Sequence, residues 1–293
     1  MKKTLLSLAV VLLSTMSYAQ FQVSASTGYA IASAGMKTGE SINSSGTENH
    51  YGSYGEGVNF QIRGTYFFNE SFGADLSFGY LNGADQTISK VDLPTQQVDA
   101  IARARAYGAS LSMVYKFTNN VYGRFGALLK IGGKTEAVVS NRADLTQTQL
   151  DQFAAAGFTL PSGSYTQTNY VEDFHGVFPL GFVAALGYKY DLNSNFSLFA
   201  EAEYYGISLK RKDSELQSFN TDLYLPDGTL AQAGLYTMDN LPAGRALKIT
   251  YSDELTHAEQ ADPSKELAQK VPYSSFGINI GITYKFNSAS KVQ

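Results

Sequence analysis

The chain is built from runs in which apolar residues alternate with small or polar ones, and the last run is the cleanest. Phe276, Ile278, Ile280, Ile282, Tyr284 and Phe286 share one face, while Gly277, Asn279, Gly281, Thr283 and Lys285 share the other. A side-chain period of two marks a strand whose faces meet different surroundings. Seven earlier runs follow the same rule. Phe21, Val23, Ala25, Thr27, Tyr29 and Ile31 form the weakest; Val58, Phe60, Ile62, Tyr66 and Phe68 a second; Phe72, Ala74, Leu76, Phe78 and Tyr80 a third. Tyr107, Ala109, Leu111, Met113, Tyr115 and Phe117 form a fourth, and Val121, Phe125, Ala127, Leu129 and Ile131 a fifth. The sixth holds Leu180, Phe182, Ala184, Leu186, Tyr188 and Tyr190, and the seventh Phe196, Leu198, Ala200, Ala202 and Tyr204. The pattern predicts eight strands.

A short aromatic phrase closes every second run: Tyr66-Phe67-Phe68, Tyr115-Lys116-Phe117, Tyr188-Lys189-Tyr190 and Tyr284-Lys285-Phe286. The copies lie 49, 73 and 96 residues apart, so they are not a solenoid repeat. Each interval holds one short turn, two strands and one long connection. Polar turn clusters at Asn69 to Ser71, Thr118 to Asn120 and Asp191 to Asn195 join successive runs, whereas the stretches 36–57, 83–100, 132–174 and 211–274 are read as long loops. Alternating short and long connections, an even strand count and aromatics at one end are the grammar of an all-β fold, an eight-stranded antiparallel up-and-down transmembrane β-barrel. Short turns face the periplasm and long loops the outside, so both termini are periplasmic. Tyr66, Phe68, Tyr115, Phe117, Tyr188, Tyr190, Tyr284 and Phe286 are then the lower aromatic girdle. A ten-stranded count, using a hairpin at Pro226-Asp227-Gly228, is the competitor; its flanks lack a charge-free outward face of membrane-spanning length.

The same alternation would suit a soluble sandwich with its apolar face inside. Residue size argues for lipid. The other face is mainly Gly, Ser, Ala and Thr, which fit a crowded lumen and not a water-facing wall. The apolar face carries no charge in any run core, as lipid requires, since a basic residue near the midplane costs about 2 to 4 kcal/mol. Arg103 and Arg105 share the outward phase of the fourth run. At a rise of ~3.4 Å per residue and a tilt of ~40°, Arg105 stands about 30 Å above Phe117, beyond the apolar band.

The first residues fix the compartment expected for the chain. Met1-Lys2-Lys3 is basic, Leu5 to Leu13 is apolar but for Ser7, and Ser17-Tyr18-Ala19 is a signal-peptidase site. Residues 1–19 are read as a signal peptide, 20–286 as the barrel and 287–293 as a periplasmic tail. The apolar stretch is too short for the ~20 residues of a spanning helix. Removing Lys2 and Lys3 from the 22 basic residues leaves 20 against 26 acidic, a balance that argues against nucleic acid as a partner. The chain has no cysteine, so backbone pairing and packing must stabilise it without disulfides.

With these features the chain resembles the outer-membrane β-barrel domain family, the small barrels similar to the OmpA membrane domain, OmpX and OmpW. The Ala19-Gln20 junction, the stretch Gly281 to Phe286 and the Tyr-Lys-Phe/Tyr strand ends resemble Bacteroidota members. The likeness covers essentially the whole mature chain and speaks for architecture, since members include adhesins, small channels and proteins of unassigned role. It implies an outer-membrane location, contact with lipid and lipopolysaccharide, and insertion by the barrel assembly machinery. One departure is that Asn287 to Gln293 follow the aromatic Phe286, where the family's assembly signal usually ends.

Inward phase collects Arg63, Asp75, Arg124, Lys130, Glu201 and Glu203 in the lumen, and Lys116, Lys189 and Lys285 as a basic ring at the periplasmic mouth. An eight-stranded interior is only wide enough for side chains to fill. Mixed charge therefore reads as a salt-bridged plug, with an ion-selecting constriction as the alternative. His175 lies near Glu172 and Asp173 at an outer rim, where lipid A-modifying barrels place catalytic groups, but no nucleophile is fixed relative to it. His50 and His257 offer no metal spacing. Asp253, Glu254, Glu259 and Asp262 read as solvated loop charge. The expectation is a non-enzymatic, cofactor-free monomer that meets an extracellular ligand through its loops. A small passive pore is the first alternative and a rim enzyme acting on lipid A the second.

Overall fold

The structure, a computed structural model, describes residues 20–177 and 179–286. The expected signal peptide and periplasmic tail lie outside the described residues. In chain order the strands are β1 (Gln20–Ala32), β2 (Met36–Asn43), β3 (Gly46–Gly52), β4 (Gly57–Phe67), β5 (Phe72–Gly83), β6 (Gln86–Leu93), β7 (Gln96–Lys116), β8 (Val121–Asp144) and β9 (Tyr165–Gly176). They continue with β10 (Leu180–Asp191), β11 (Phe196–Gly206), β12 (Ser208–Tyr224), β13 (Leu230–Thr237), β14 (Lys248–Ser252), β15 (Lys265–Leu267), β16 (Lys270–Pro272) and β17 (Ser275–Lys285). Among the described residues two short helices, α1 (Gln147–Ala155) and α2 (His257–Gln260), each begin in a capping box, on Thr146 and Thr256.

Antiparallel pairings run from β1 to β4, β4 to β5, β5 to β7, β7 to β8, β8 to β10, β10 to β11 and β11 to β17, and β17 returns to β1. This cycle leaves no open edge in the ring, so its backbone donors and acceptors are satisfied without water. Each of the eight alternating runs lies in one ring strand, in the expected phase. Outward side chains are large, apolar and exposed, with Leu111 63% and Phe125 64% accessible. Inward positions are small or polar and buried, among them Ser24, Thr65, Ser77, Ser110, Ser112, Asn279 and Thr283.

Three short turns gather at one rim and are built by their own polar side chains. Asn69 Oδ1 accepts from the Ser71 and Phe72 amides, Thr118 Oγ1 from Asn120 and Val121, and Asn193 Oδ1 from Asn195 and Phe196. The Asn120 and Asn195 side chains then donate to the Lys189 and Lys285 carbonyls, tying neighbouring hairpins together.

The count of eight needs correction: the described residues form 17 strands in one hydrogen-bonded sheet system. The additional strands fill the four stretches read as loops. β7 and β8 do not stop at the ring but run on as a pair as far as Gln96 and Ala143. β6 adds to β7 and the β2–β3 hairpin adds to β6, while β9 adds to β8 and β12 to β9. The Pro226-Asp227-Gly228 turn does close a hairpin, β12–β13, but both strands pair within this upper sheet and not in the ring, so the ten-stranded alternative fails.

A β-bulge marks the border between ring and upper sheet. Tyr107 pairs with Gly132 and Gly108 with Lys130, which leaves Ile131 extra, and Gly133 has φ +92. One added residue inverts the phase. Inward residues of β8 are even-numbered below it, as at Arg124, and odd-numbered above it, as at Thr135, Ala137 and Val139.

Candidate functional site in the ring interior

The inward phase of four ring strands, β4, β5, β8 and β11, brings Arg63, Asp75, Arg124, Glu201 and Glu203 into one buried network. Arg63 Nη1 donates to Glu201 at 2.9 and 3.0 Å, and its Nε stands 3.7 Å from Asp75. Arg124 reaches three carboxylates, with Nε 3.1 Å from Glu201, Nη2 2.5 Å from Glu203 and Nη1 3.4 Å from Asp75. Glu201 and Glu203 are each 1% exposed. Buried charges of this kind require partners, because an unpaired one costs several kcal/mol. The network also draws in neutral groups that the sequence reading did not assign to it. Gln61 donates to Glu203 at 2.8 Å, Tyr205 donates to it at 2.5 Å, and Asn279 Nδ2 also reaches it. Their inward phase is the signal that places them there, although they carry no charge. Arg63 also lies 5.0 Å from the Phe199 ring centroid.

Lys130 is not part of this network. It lies on the far side, its ammonium 5.2 Å from the centre of the Tyr273 ring. At the rim of short turns, Lys189 and Lys285 share Asp191 at 3.9 and 2.6 Å. Lys116 instead covers the Phe67 ring at 3.7 Å. The basic mouth is therefore partly neutralised by Asp191, a residue first read only as a turn.

On the outside of the same rim, Tyr66 packs on Phe68, Tyr115 on Phe117 and Tyr284 on Phe286, with ring centroids 5.5, 5.1 and 4.8 Å apart. Tyr188 and Tyr190 are exposed beside them.

A second closure lies above the network and was not legible as such. The segment around Tyr54 folds inward and pairs with the segment around Tyr273: the Tyr54 amide donates to the Pro272 carbonyl at 2.9 Å, and the two rings are 5.9 Å apart. Ala102, Ala104, Ala106 and Leu209 pack against them. Burial pushes the Tyr273 hydroxyl up to about 12, against a smaller opposing pull from its hydrogen bond with Thr135. Burial likewise raises Tyr54, and the positive charge of Arg211 nearby partly offsets that rise. A cavity of about 110 Å³ lies between this cap and the ionic network, and another of about 120 Å³ lies beyond the cap.

At the outer rim His175 Nδ1 is 2.9 Å from Asp213, not from Glu172 or Asp173. Those two carboxylates hold Arg245 and Lys134, at 3.0 and 2.8 Å. Among the described residues no hydroxyl hydrogen bonds to the His175 ring.

No family model and no curated protein sequence matches the chain. Solved structures similar to it include a major outer membrane protein from Thermus thermophilus, at 12% identity, covering 92% of this chain and 99% of that one, with a TM-score of 0.38. Neisserial surface protein A matches at 14% identity over 91% of this chain and 97% of its own, with a TM-score of 0.31. Ail, the attachment invasion locus protein of Yersinia pestis, matches at 11% identity over 92% and 99%, with a TM-score of 0.32. At such TM-scores these likenesses add no argument to the geometry above.

Proposed function

We propose that the ring is an eight-stranded transmembrane barrel of an outer membrane, that its lumen is closed, and that the protein acts through the sheet it raises above the membrane. The belt of exposed apolar residues, including Ile62, Leu76, Phe78, Leu111, Phe125, Leu186, Ile278 and Ile280, supports the membrane reading. A continuous surface of that kind needs lipid or a partner to cover it. The observation that carries the closed-lumen reading is the double block, an ionic network below and the Tyr54–Tyr273 cap above. Together they support a closed lumen, and on that reading the surface offered outside is what the molecule presents to other molecules. Purified protein in planar lipid bilayers is expected to give no stable conductance. A reproducible open channel, altered in selectivity by Arg63→Ala or Glu201→Ala, would sink this reading.

A small passive pore remains the second reading, because one observation favours it. Two arginines face three carboxylates in the network, and Asp75 Oδ1 is buried without a hydrogen-bond partner. That excess of negative charge is a place for a passing cation. The protein is proposed to be non-enzymatic: among the described residues no nucleophile bonds to the ring of the His175–Asp213 pair. Lipid A from cells making the protein should be unchanged by mass spectrometry.

A further inference from the structure

The cavity beyond the Tyr54–Tyr273 cap has a chemistry unlike the rest of the interior. Lys130 of β8 and Arg211 of β12 both line it, together with Thr135, Tyr54 and His175, and no aspartate or glutamate does. Among the described residues neither Lys130 nor Arg211 has a carboxylate within 4.0 Å, and neither side chain donates a hydrogen bond to protein. Their contacts are with aromatic faces. Lys130 lies over Tyr273 at 5.2 Å, and Arg211 over Phe174 at 4.5 Å and Tyr251 at 5.8 Å. His175, the third group able to carry positive charge here, already holds Asp213.

In the charged network below the cap every arginine is paired with carboxylates, so the fold is able to supply partners where it needs them. Here two cations share one space and none is supplied. Apart from Thr38, the rest of the wall is largely apolar, with Ile88, Ala102, Ala137, Leu209 and Val271. Such walls lower the local dielectric, which strengthens both the repulsion between the cations and their attraction for an anion. The cavity of about 120 Å³ is ample when one water needs about 10 to 15 Å³ of such space. Arg211 lies against two rings, and its planar fork matches the paired oxygens of a tetrahedral or planar oxyanion.

We propose that this cavity is a binding site for a small free oxyanion of the phosphate or sulfate class, held between Lys130 and Arg211. The ion would serve as the counter-charge that the chain itself omits, and its enclosure distinguishes it from a phosphate carried on a sugar or lipid headgroup.

The test uses the full chain folded in detergent micelles and inorganic phosphate in equilibrium dialysis. Glucose 6-phosphate serves as the competing ester, and gel mobility before and after boiling reports the folded state. Saturable binding of one phosphate per chain is expected, with each of Lys130→Gln and Arg211→Gln weakening it about tenfold or more, as loss of a charge-assisted hydrogen bond implies. Glucose 6-phosphate should compete poorly. If either variant fails to fold, Arg211→Lys keeps the charge but loses the fork, and a weakening of severalfold is expected there. Absence of saturable binding, equal binding by folded variants, or competition by the ester as strong as by free phosphate would each overturn the proposal.

Discussion

β7 and β8 pass through two surroundings without a break, and their two halves differ on both faces. In the ring, outward positions are Leu111, Met113 and Phe125, all exposed, while inward positions include Arg124, locked among carboxylates. Above the bulge the arrangement reverses. Outward positions hold Arg103, Lys134 and Glu136 in partly exposed ion pairs, and inward positions are Ala102, Ala104, Ala137 and Val139. The backbone is the same antiparallel ladder in both halves. The surroundings therefore decide which face takes charge, and hydrogen bonding of the ladder does not. In the lower half the charge lies inside, where Arg124 is paired with three carboxylates. In the upper half it stands outside, where water does much of the solvation.

The largest way to break this contrast is to remove one member of the buried network. Arg124→Met leaves Asp75, Glu201 and Glu203 facing Arg63 alone, and loss of one partner from a buried ionic group costs about 3 to 5 kcal/mol. Urea unfolding in lipid vesicles should show that loss in the midpoint. An unchanged midpoint would mean that water fills the ring interior and solvates the carboxylates.

Next in size is a charge placed on the outward face. Leu111→Arg sits near mid-height of the ring wall and should cost about 2 to 4 kcal/mol in a bilayer. The same residue introduced at Ser140, outward and exposed on the upper half of β8, should shift stability by no more than about 0.5 kcal/mol. Equal effects at the two sites would remove the ground for assigning lipid to the lower half.

The ring was legible because nothing interrupts its period: each run keeps its phase from one rim to the other. The upper sheet was hidden by its bulges. β8 loses phase at Ile131 to Gly133, where the alternating run ends, and β12 shifts register between Arg211 and Asp213 and again between Leu216 and Ser218. Such strands fail a test of strict alternation although their pairing is regular between the faults. Of the site, inward phase identified the charged members of the network but could not separate Lys130 from them, since height along the ring depends on stagger between strands. Tyr54 and Tyr273 carried no periodic signal because the segments that hold them fold inward from outside the ring strands.

The bulge itself gives the third prediction. At Gly133, with φ +92, a Cβ would run into the Arg105 carbonyl. Gly133→Ala should therefore cost at least the roughly 1 to 2 kcal/mol of placing a side chain in the left-handed region. Its effect should fall on the upper sheet, seen as faster amide exchange at 96–106 and 133–143 with the ring amides unchanged. Uniform loss across both halves would show that the two unfold as one unit.

The smallest effect belongs to the outward ion pair of the upper half. Arg103 Nε donates to Glu136 at 2.8 Å, and Lys134 approaches the same carboxylate at 3.2 Å. Burial pushes Glu136 up, but the hydrogen bonds from Arg103 and Lys134 outweigh it and hold the carboxyl below its ordinary value. A depressed folded value means that the unfolded chain binds the proton first, so this contribution is complete above the ordinary glutamate value of about 4.3 and fades as pH falls through the lower, folded one. Both partners touch water, which limits the pair to about 0.2 to 1 kcal/mol. Arg103→Ala should therefore speed exchange in 96–106 by a modest factor at pH 7, with the difference from the parent protein narrowing below pH ~4 and also in high salt. The buried network below should show no such salt dependence, because its charges are shielded from ions by the ring wall. A salt response of the same size in both halves would erase the distinction between a paired interior and a solvated exterior on one pair of strands.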